Sequence, residues 1–499
     1  MARNTKSLAE LGLTAQGGRE ANISGLTVDS RAVNAGDLFA ALDGAAVHGM
    51  SFADKAIAAG CAAILTDFKG AELATDLIDA SDVALIVAED PRQTLAQTAS
   101  LWFGRHPETV IAVTGTNGKT SVSTFARQIW EEMGKQGVNL GTTGVEGVWS
   151  HPLNHTTPEP ITLHRVMAEA RANGVTHVAM EASSHGLDQR RLDGVLLAAA
   201  GFTNFTQDHL DYHETFDAYF EAKMGLFTRV LSDEGTAVIN LDDPKGPLVA
   251  DICADRGQDV IGVGRHPDAI LCLKGQRFDA TGQDLLFTWQ DRPYQIRLNL
   301  IGGFQAENVL LAAGLVIGAG ADANDVFDTL PQLKTVRGRM ELAATRDNGA
   351  AVFVDYAHTP DAVATALKAM RPHVMGRIVA IVGAGGDRDA GKRPLMGAAA
   401  AEHADVVIVT DDNPRSEDPA RIREAVMAGA LNGTGTPSVT EIGDRAEAIL
   451  RGIDALAPGD ALLIAGKGHE SGQVVGDVTL PFDDVEQASV AVAALEGRI

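Results

Sequence analysis

Gly115-Thr116-Asn117-Gly118-Lys119-Thr120-Ser121 follows the apolar run Val110-Ile111-Ala112-Val113 and precedes a segment of helical periodicity. In that segment Val122, Phe125, Ala126, Ile129, Trp130 and Met133 fall on one face. The order is buried strand, tight glycine loop, helix N-terminus. Such a loop aims several backbone N–H groups at one spot, where the helix dipole favours an anion. Lys119 adds a cation for the β- and γ-phosphates, and the Thr120 hydroxyl suits Mg²⁺. An ordinary strand-to-helix turn needs no Lys-Thr at its end. One residue departs from the usual spacing: Val113 stands where phosphate loops carry their first glycine. The loop is a variant, and alone it does not name the reaction.

Working outward, the last third is the clearest α/β text. Val352-Phe353-Val354, Ile378-Val379-Ala380-Ile381-Val382, Val406-Val407-Ile408-Val409 and Ala461-Leu462-Leu463-Ile464 are apolar runs separated by helical patterns. Runs of this kind are buried parallel strands. In the amino-terminal stretch, 26–31, 38–42, 63–65 and 83–87 read as strands. There 51–59 reads as a helix stopped by Gly60, and Pro91 opens another. In between, the pattern predicts helices over 162–173 and 216–230 and strands over 177–180 and 237–240. A less regular β-rich stretch runs to Leu300. A chain of 499 residues makes about three domains. The expected boundaries divide it into 1–90, 91–336 and 337–499.

The formal net charge of −25 argues against a binder of nucleic-acid backbones, which needs a basic face. Cys61, Cys253 and Cys272 show no paired spacing and read as small buried apolar residues, as suits a reducing cytoplasm. The first thirty residues hold no apolar signal core, and no later run approaches membrane-spanning length. A soluble cytoplasmic protein, without membrane insertion, is expected.

Ligands in open α/β sheets bind beyond the carboxyl ends of the strands. Each of the four apolar runs is followed by a loop dense in charge or glycine. These are Asp355-Tyr356-Ala357-His358-Thr359-Pro360-Asp361, Gly383-Ala384-Gly385-Gly386-Asp387-Arg388-Asp389, Thr410-Asp411-Asp412-Asn413-Pro414-Arg415 and Gly466-Lys467-Gly468-His469-Glu470. Together they predict one shared pocket. The stretch 386–392 also matches phosphate-loop spacing, but Arg393 replaces the hydroxyl residue and Asp387 and Asp389 repel phosphate. It reads as a substrate loop. The middle region offers metal ligands in Glu181-Ala182-Ser183-Ser184-His185-Gly186 and in 208–213. Magnesium prefers oxygen and tolerates an occasional imidazole. Zinc stays open, although no Cys joins the cluster and no HExxH helix occurs. Asp211 and His213 read most simply as hydrogen-bonded loop residues, and Lys223 as a solvated or ion-paired helix lysine.

Taken together, the variant loop, 181–186, 208–213, 355–361 and 466–470 resemble the Mur ligase family over nearly the whole chain. Within it they are most similar to members that add diaminopimelate to a UDP-muramoyl dipeptide for peptidoglycan synthesis. The resemblance implies an α/β fold of three domains. The first binds the UDP end, the second is a P-loop-type ATPase, and the third is Rossmann-like and admits the amino acid. It implies ATP as co-substrate, Mg²⁺ as cofactor, small-molecule partners and a monomer. Ser30 and His48 would lie near the uridine diphosphate. Thr156, Thr157, Ser184, Gln189 and Arg191 would hold the muramoyl dipeptide. Thr120, Glu181 and His209 would serve Mg²⁺, joined by a carbamylated Lys223, whose new carboxylate adds an oxygen ligand. Residues 115–121 with Asn308, Arg339 and Asp355 would bind ATP. Lys119, Glu181, His209 and Lys223 would form the catalytic set. In Gly302-Gly303-Phe304-Gln305-Ala306-Glu307-Asn308, Gln305 replaces the family's first Asn, so Asn308 alone is carried over.

Diaminopimelate carries a distal carboxylate and a distal ammonium; lysine carries only the ammonium. Asp412-Asn413-Pro414-Arg415 supplies Arg415, and the neighbouring loop supplies Arg388. An arginine fork suits a carboxylate, and Glu470 suits an ammonium. With Gly466 these residues make the expected diaminopimelate site. A lysine substrate would leave a buried arginine unpaired, a rejection of roughly 10⁴-fold or more. The plainer alternative has Arg415 capping a helix or pairing with Glu417. Competing readings are a sister ligase, a folylpolyglutamate synthase sharing the ATPase core, and a nucleotide-hydrolysing switch or motor that needs no amine.

Overall fold

The computed structural model describes residues 5–44, 46–206, 212–435 and 437–499. Three large sheets succeed one another along the chain. The first has four parallel strands in chain order, Gly25–Thr27, Asp37–Ala40, Ala63–Thr66 and Ala84–Val87. The expected helix at 51–59 is a 3₁₀ turn, Gly49–Phe52, running into the α-helix Ala53–Ala58. Helix Pro91–Phe103 opens as anticipated, with the Asp90 carboxylate accepting from the Gln93 N–H at 3.0 Å. Its Leu95 is buried in the core of this first sheet.

The central sheet has ten strands. Thr109–Thr114, the strand feeding the glycine loop, lies between the parallel neighbours His177–Glu181 and Ala199–Phe202. Val113 pairs with Glu181 on one side and Gly201 on the other. It is still inside the strand, which accounts for the missing glycine: the chain does not turn until Gly115. Helices Lys119–Glu132 and Phe304–Gly318 cover one face, and Pro160–Ala172 contributes to the other. The irregular β-rich stretch resolves into Leu271–Asp279, Gly282–Trp289 and Arg292–Leu298, an antiparallel extension of the same sheet. The helix expected over 216–230 is α-helical only over Phe216–Gly225 and continues as a π-turn over Leu226–Val230.

The third sheet has six strands. The four apolar runs form its parallel interior as Ala351–Asp355, Ala461–Ala465, Ile378–Val382 and Val406–Val409. Glu341–Thr345 adds an antiparallel edge and Ser438–Glu441 a parallel one. Val336 is buried in the central core and Met340 in the third, so the chain passes from one to the other between them. Among the described residues no helix is long and apolar enough to cross a membrane.

Candidate active site

A cavity of about 740 Å³ lies at the carboxyl ends of the central strands, with the third sheet supplying part of its wall. The central side brings Thr116 to Ser121, Glu181 and Lys223; the other brings Arg339, Asp355 and Tyr356. Gly115 and Gly118 have φ of +145° and +87°. A Cβ on Gly115 would stand 1.8 Å from Thr203 Oγ1, and one on Gly118 2.7 Å from Asn308 Oδ1. Both dihedral and space therefore require glycine. Thr203 and Asn204 brace the loop. The Thr203 hydroxyl donates to the Asn117 carbonyl at 2.6 Å, and the Asn117 N–H donates to Asn204 Oδ1 at 2.9 Å. The sequence gives Thr203 and Asn204 no role; the signal that could have found them is their position just beyond the strand Ala199–Phe202.

Lys119 Nζ donates to the carbonyls of Gly115 and Thr116 at 2.9 and 2.8 Å. Lys223 Nζ donates to the same Gly115 carbonyl at 2.7 Å and stands 4.4 Å from the Tyr219 ring centroid. At 1% exposure Lys223 is not solvated, which corrects that half of the plainer reading and leaves the ion-paired half standing. The buried face of helix Phe216–Gly225 carries it under the loop.

Thr120 Oγ1 donates to Glu181 Oε2 at 3.1 Å and accepts from Arg339 at 3.2 Å. Glu181 also accepts from the N–H of Thr142 at 2.8 Å and from its hydroxyl at 3.1 Å. Thr142 escaped notice in the sequence. It follows Gly141, where a Cβ would lie 2.1 Å from Glu181 Oε1. Thr120 and Glu181 offer the oxygen donors that Mg²⁺ prefers beside water and phosphate. Among the described residues no trio of His, Cys, Asp or Glu is gathered as zinc requires. His209, with Asp208 and Asp211, lies outside the described residues. His213 is buried, its ring centroid 5.2 Å from that of Tyr219.

Of the residues expected at the dipeptide, Thr156, Thr157, Ser184 and Arg191 line the cavity. The Thr156 hydroxyl is 3.1 Å from that of Thr142, and the Thr157 hydroxyl donates to the Glu181 carbonyl at 2.9 Å. Arg191 donates to the Thr157 carbonyl at 2.6 Å and to Gln189 Oε1 at 2.7 Å, so Gln189 joins through Arg191. Burial lowers the Arg191 pKa. Ser184 Oγ is buried with no hydrogen-bond partner among the described residues, which suits a ligand. Ser30 and His48 are not among the lining residues. Buried His48 accepts from the Met50 N–H at 3.1 Å through Nδ1, and its Nε2 lies 3.2 Å from Asp67.

The Asp355 carboxylate accepts from the N–H groups of Met340 and Ala357 at 2.7 and 2.8 Å. Burial pushes its pKa up, against the pull of Arg339. The Arg339 guanidinium stacks 4.4 Å over Tyr356. Asn308 lines the cavity, whereas Gln305 is fully buried behind it, with Oε1 3.5 Å from Asn308 Nδ2.

The loops expected to receive the amino acid meet at the ends of the third sheet. A Cβ on Gly466 would stand 2.4 Å from Asp412 Oδ2, a close approach that only glycine permits. Asn413 Nδ2 donates to Glu470 Oε2 at 2.9 Å. The Arg415 guanidinium donates to the Gly386 carbonyl at 2.7 Å. Glu417 is taken by Arg393 at 2.8 Å, so the Arg415–Glu417 pairing does not occur. The carbonyl of Pro414 lies 1.9 Å from where a Gly386 Cβ would stand, and Arg388 is exposed. Lys467, which the sequence places in the pocket loop without a role of its own, is fully buried between Asn413 and Glu470.

The pattern described as the Mur ligase middle domain matches residues 113–316, and the Mur ligase glutamate ligase domain matches 338–468. The pattern described as the Mur ligase family catalytic domain matches 22–102. The UDP-N-acetylmuramoyl-L-alanyl-D-glutamate–2,6-diaminopimelate ligases of Bradyrhizobium diazoefficiens and Brucella melitensis are each 48% identical to this chain over 476 residues, spanning 95% of either partner. A solved structure of a ligase of that name matches with a TM-score of 0.72 and 34% identity, over 99% of this chain and 100% of that one. MurF from Thermotoga maritima in complex with ADP shares the fold at 19% identity and a TM-score of 0.60, over 95% and 98% of the two chains. The chain is a ligase and belongs to the Mur ligase family.

Proposed function

We propose that the protein joins meso-2,6-diaminopimelate to UDP-N-acetylmuramoyl-L-alanyl-D-glutamate, driven by ATP, to form the UDP-muramoyl tripeptide for peptidoglycan. The observation that carries this reading is the convergence of the phosphate loop, Glu181 and Arg339 on one cavity, with an arginine and a glutamate at the neighbouring strand ends. The 48% identity to diaminopimelate ligases supports the substrate. The D-glutamyl carboxylate attacks the γ-phosphorus of ATP, ADP leaves, and an acyl phosphate results. The amine of diaminopimelate attacks the acyl carbon, phosphate leaves, and the amide forms with loss of a proton.

Catalysis of such a transfer is mostly positioning and electrostatic stabilisation. The loop N–H groups of 115–121 cradle the phosphates, and Lys119 exchanges its carbonyl partners for phosphate oxygen. Asn308, Arg339 and Asp355 engage ATP. Thr156, Thr157, Ser184, Gln189 and Arg191 orient the dipeptide, and Ser30 and His48 hold the uridine diphosphate end. Thr120, Glu181, His209 and Lys223 would hold Mg²⁺, which when bound neutralises charge on the phosphoryl oxygens. Lys223 serves there as its carbamate, formed from the amine and CO₂ with loss of a proton. Arg388, Asp412, Asn413, Pro414, Arg415, Gly466 and Glu470 receive diaminopimelate. Domains of 1–90, 91–336 and 337–499 divide these tasks. The reading takes the protein as a monomer. ATP as co-substrate points to the cytoplasm.

The test is phosphate release from Mg-ATP and the UDP-muramoyl dipeptide with meso-diaminopimelate, with L-lysine, or with no amine. Release only with diaminopimelate is expected. Release with lysine would overturn the substrate, and amine-independent release would favour the hydrolytic switch.

A further inference from the structure

We propose that Lys467 is a positioning residue for diaminopimelate, fixing Glu470, together with Asn413, as the acceptor for the distal ammonium; the inference rests on the substrate reading above. The Lys467 side chain has 0% exposure. A buried ammonium is costly unless its donors are bonded. Here three donors reach three acceptors: Asn413 Oδ1 at 3.3 Å, Glu470 Oε2 at 3.3 Å and the Gly472 carbonyl. These belong to the loop after Val406–Val409, to the loop after Ala461–Ala465, and to the start of the hairpin strand Gly472–Val475.

The network closes on itself. Asn413 Nδ2 donates to the same Glu470 Oε2 at 2.9 Å, while Asn413 Oδ1 accepts the Val474 N–H at 2.9 Å. Glu470 Oε2 thus receives two donors, and Oε1 receives none among the described residues. The Glu470 side chain is 34% exposed. One carboxylate oxygen is anchored in the protein, and the other is left for a ligand. Beneath the loops, Arg445 donates to the carbonyls of Asp411 and Ala465 at 3.3 and 3.0 Å, and it pairs with Asp484 where both side chains have 0% exposure. Arg445 ties the roots of the two loops, and Lys467 ties their tips. A site held by locked second partners keeps its geometry, and its loss is felt in substrate affinity.

Charge and position act in opposite directions here. Removing the Lys467 cation strengthens the pull of Glu470 on an ammonium, whereas releasing the carboxylate into solvent weakens it. Positioning predicts that Lys467→Met raises KM for diaminopimelate by about tenfold or more, the worth of one charge-assisted hydrogen bond. The acyl phosphate, trapped by hydroxylamine without diaminopimelate, should form at a rate within about twofold of wild type, since that half-reaction does not use the pocket. In a Glu470→Gln background, adding Lys467→Met should change KM by less than about twofold, because the two residues act as a unit. Should Lys467→Met not fold, Lys467→Gln carries the same expectation, keeping a donor without the charge. An unchanged or lowered KM in a folded variant would overturn the role. So would a parallel fall in hydroxamate formation with additive effects, which is the mark of a merely structural lysine. A wild-type enzyme with no diaminopimelate-dependent phosphate release would overturn both this role and the substrate reading, whereas normal wild-type release with an unchanged variant would overturn this role alone.

Discussion

Arg415 shows how much a single residue reveals before its surroundings are known. Its type and its place beyond a strand predict a carboxylate ligand. Its backbone is left-handed, at φ +51°, a conformation costing a non-glycine residue roughly 1–2 kcal/mol. The hairpin strand Gly472–Val475 holds it there, with the Arg415 N–H donating to the Val474 carbonyl at 3.0 Å. No spacing rule in the sequence announces that partner. Arg415→Ala is expected to raise KM for diaminopimelate by about 10–100-fold, the worth of lost charge-assisted bonds. Hydroxamate formation should stay near wild type; an unchanged KM would remove Arg415 from the pocket. Glu181 was legible in the same way, as a carboxylate ending a strand. Its partner Thr142 was not, because an isolated threonine after a glycine looks like any loop residue.

At the scale of elements, the pairing of helix Pro160–Ala172 with the segment after helix Pro91–Phe103 turns on two histidines. His164 has 0% exposure, and its Nδ1 lies 2.9 Å from His106 Nε2. Burial, reinforced by His106, pushes the His164 pKa down to about 3. Since the folded value is below the unfolded one, near 6.5, the contribution to stability is whole above about pH 6.5. It is lost as pH falls toward 3, at about 1.4 kcal/mol per unit. Wild-type protein should therefore lose about 2 kcal/mol between pH 6.5 and 5 that His164→Phe does not lose, as read from denaturant midpoints at each pH. Equal slopes in the two proteins would exclude His164 as the titrating group. Elements with unbroken apolar runs or strong caps were readable from sequence. The antiparallel extension was readable only as a β-rich stretch and not as separate strands: Gln290 and Asp291 turn its last hairpin at φ of +49° and +64° without a glycine to mark it. The π-turn at Leu226–Val230 likewise keeps the helical spacing that hides it.

At the scale of the molecule, Arg339 is the clearest link between sheets. It follows the passage from the central core to the third, stacks on Tyr356 and donates to Thr120 of the phosphate loop. Nucleotide binding should therefore feel both sheets. A non-hydrolysable ATP analogue at about 100 times its Kd stabilises the wild type by about 2.7 kcal/mol. Arg339→Ala at the same ligand concentration should gain about 1.4 kcal/mol less, for a tenfold weaker Kd, in ligand-dependent unfolding. Identical gains would place Arg339 outside the nucleotide site.

The sequence by itself determined the glycine loop after Thr109–Thr114, the parallel strands of the third sheet and the charged loops at their ends. These are local facts, written in residue type and in periodicities of 2 and 3.6. Tertiary structure alone decided that Lys223 lies under Gly115, that Thr142 holds Glu181, that Glu417 belongs to Arg393, and that Lys467 joins Asn413 to Glu470. Each of these depends on which buried donor finds which acceptor across strands distant in sequence. Burial makes such pairing obligatory, while spacing along the chain carries no record of it.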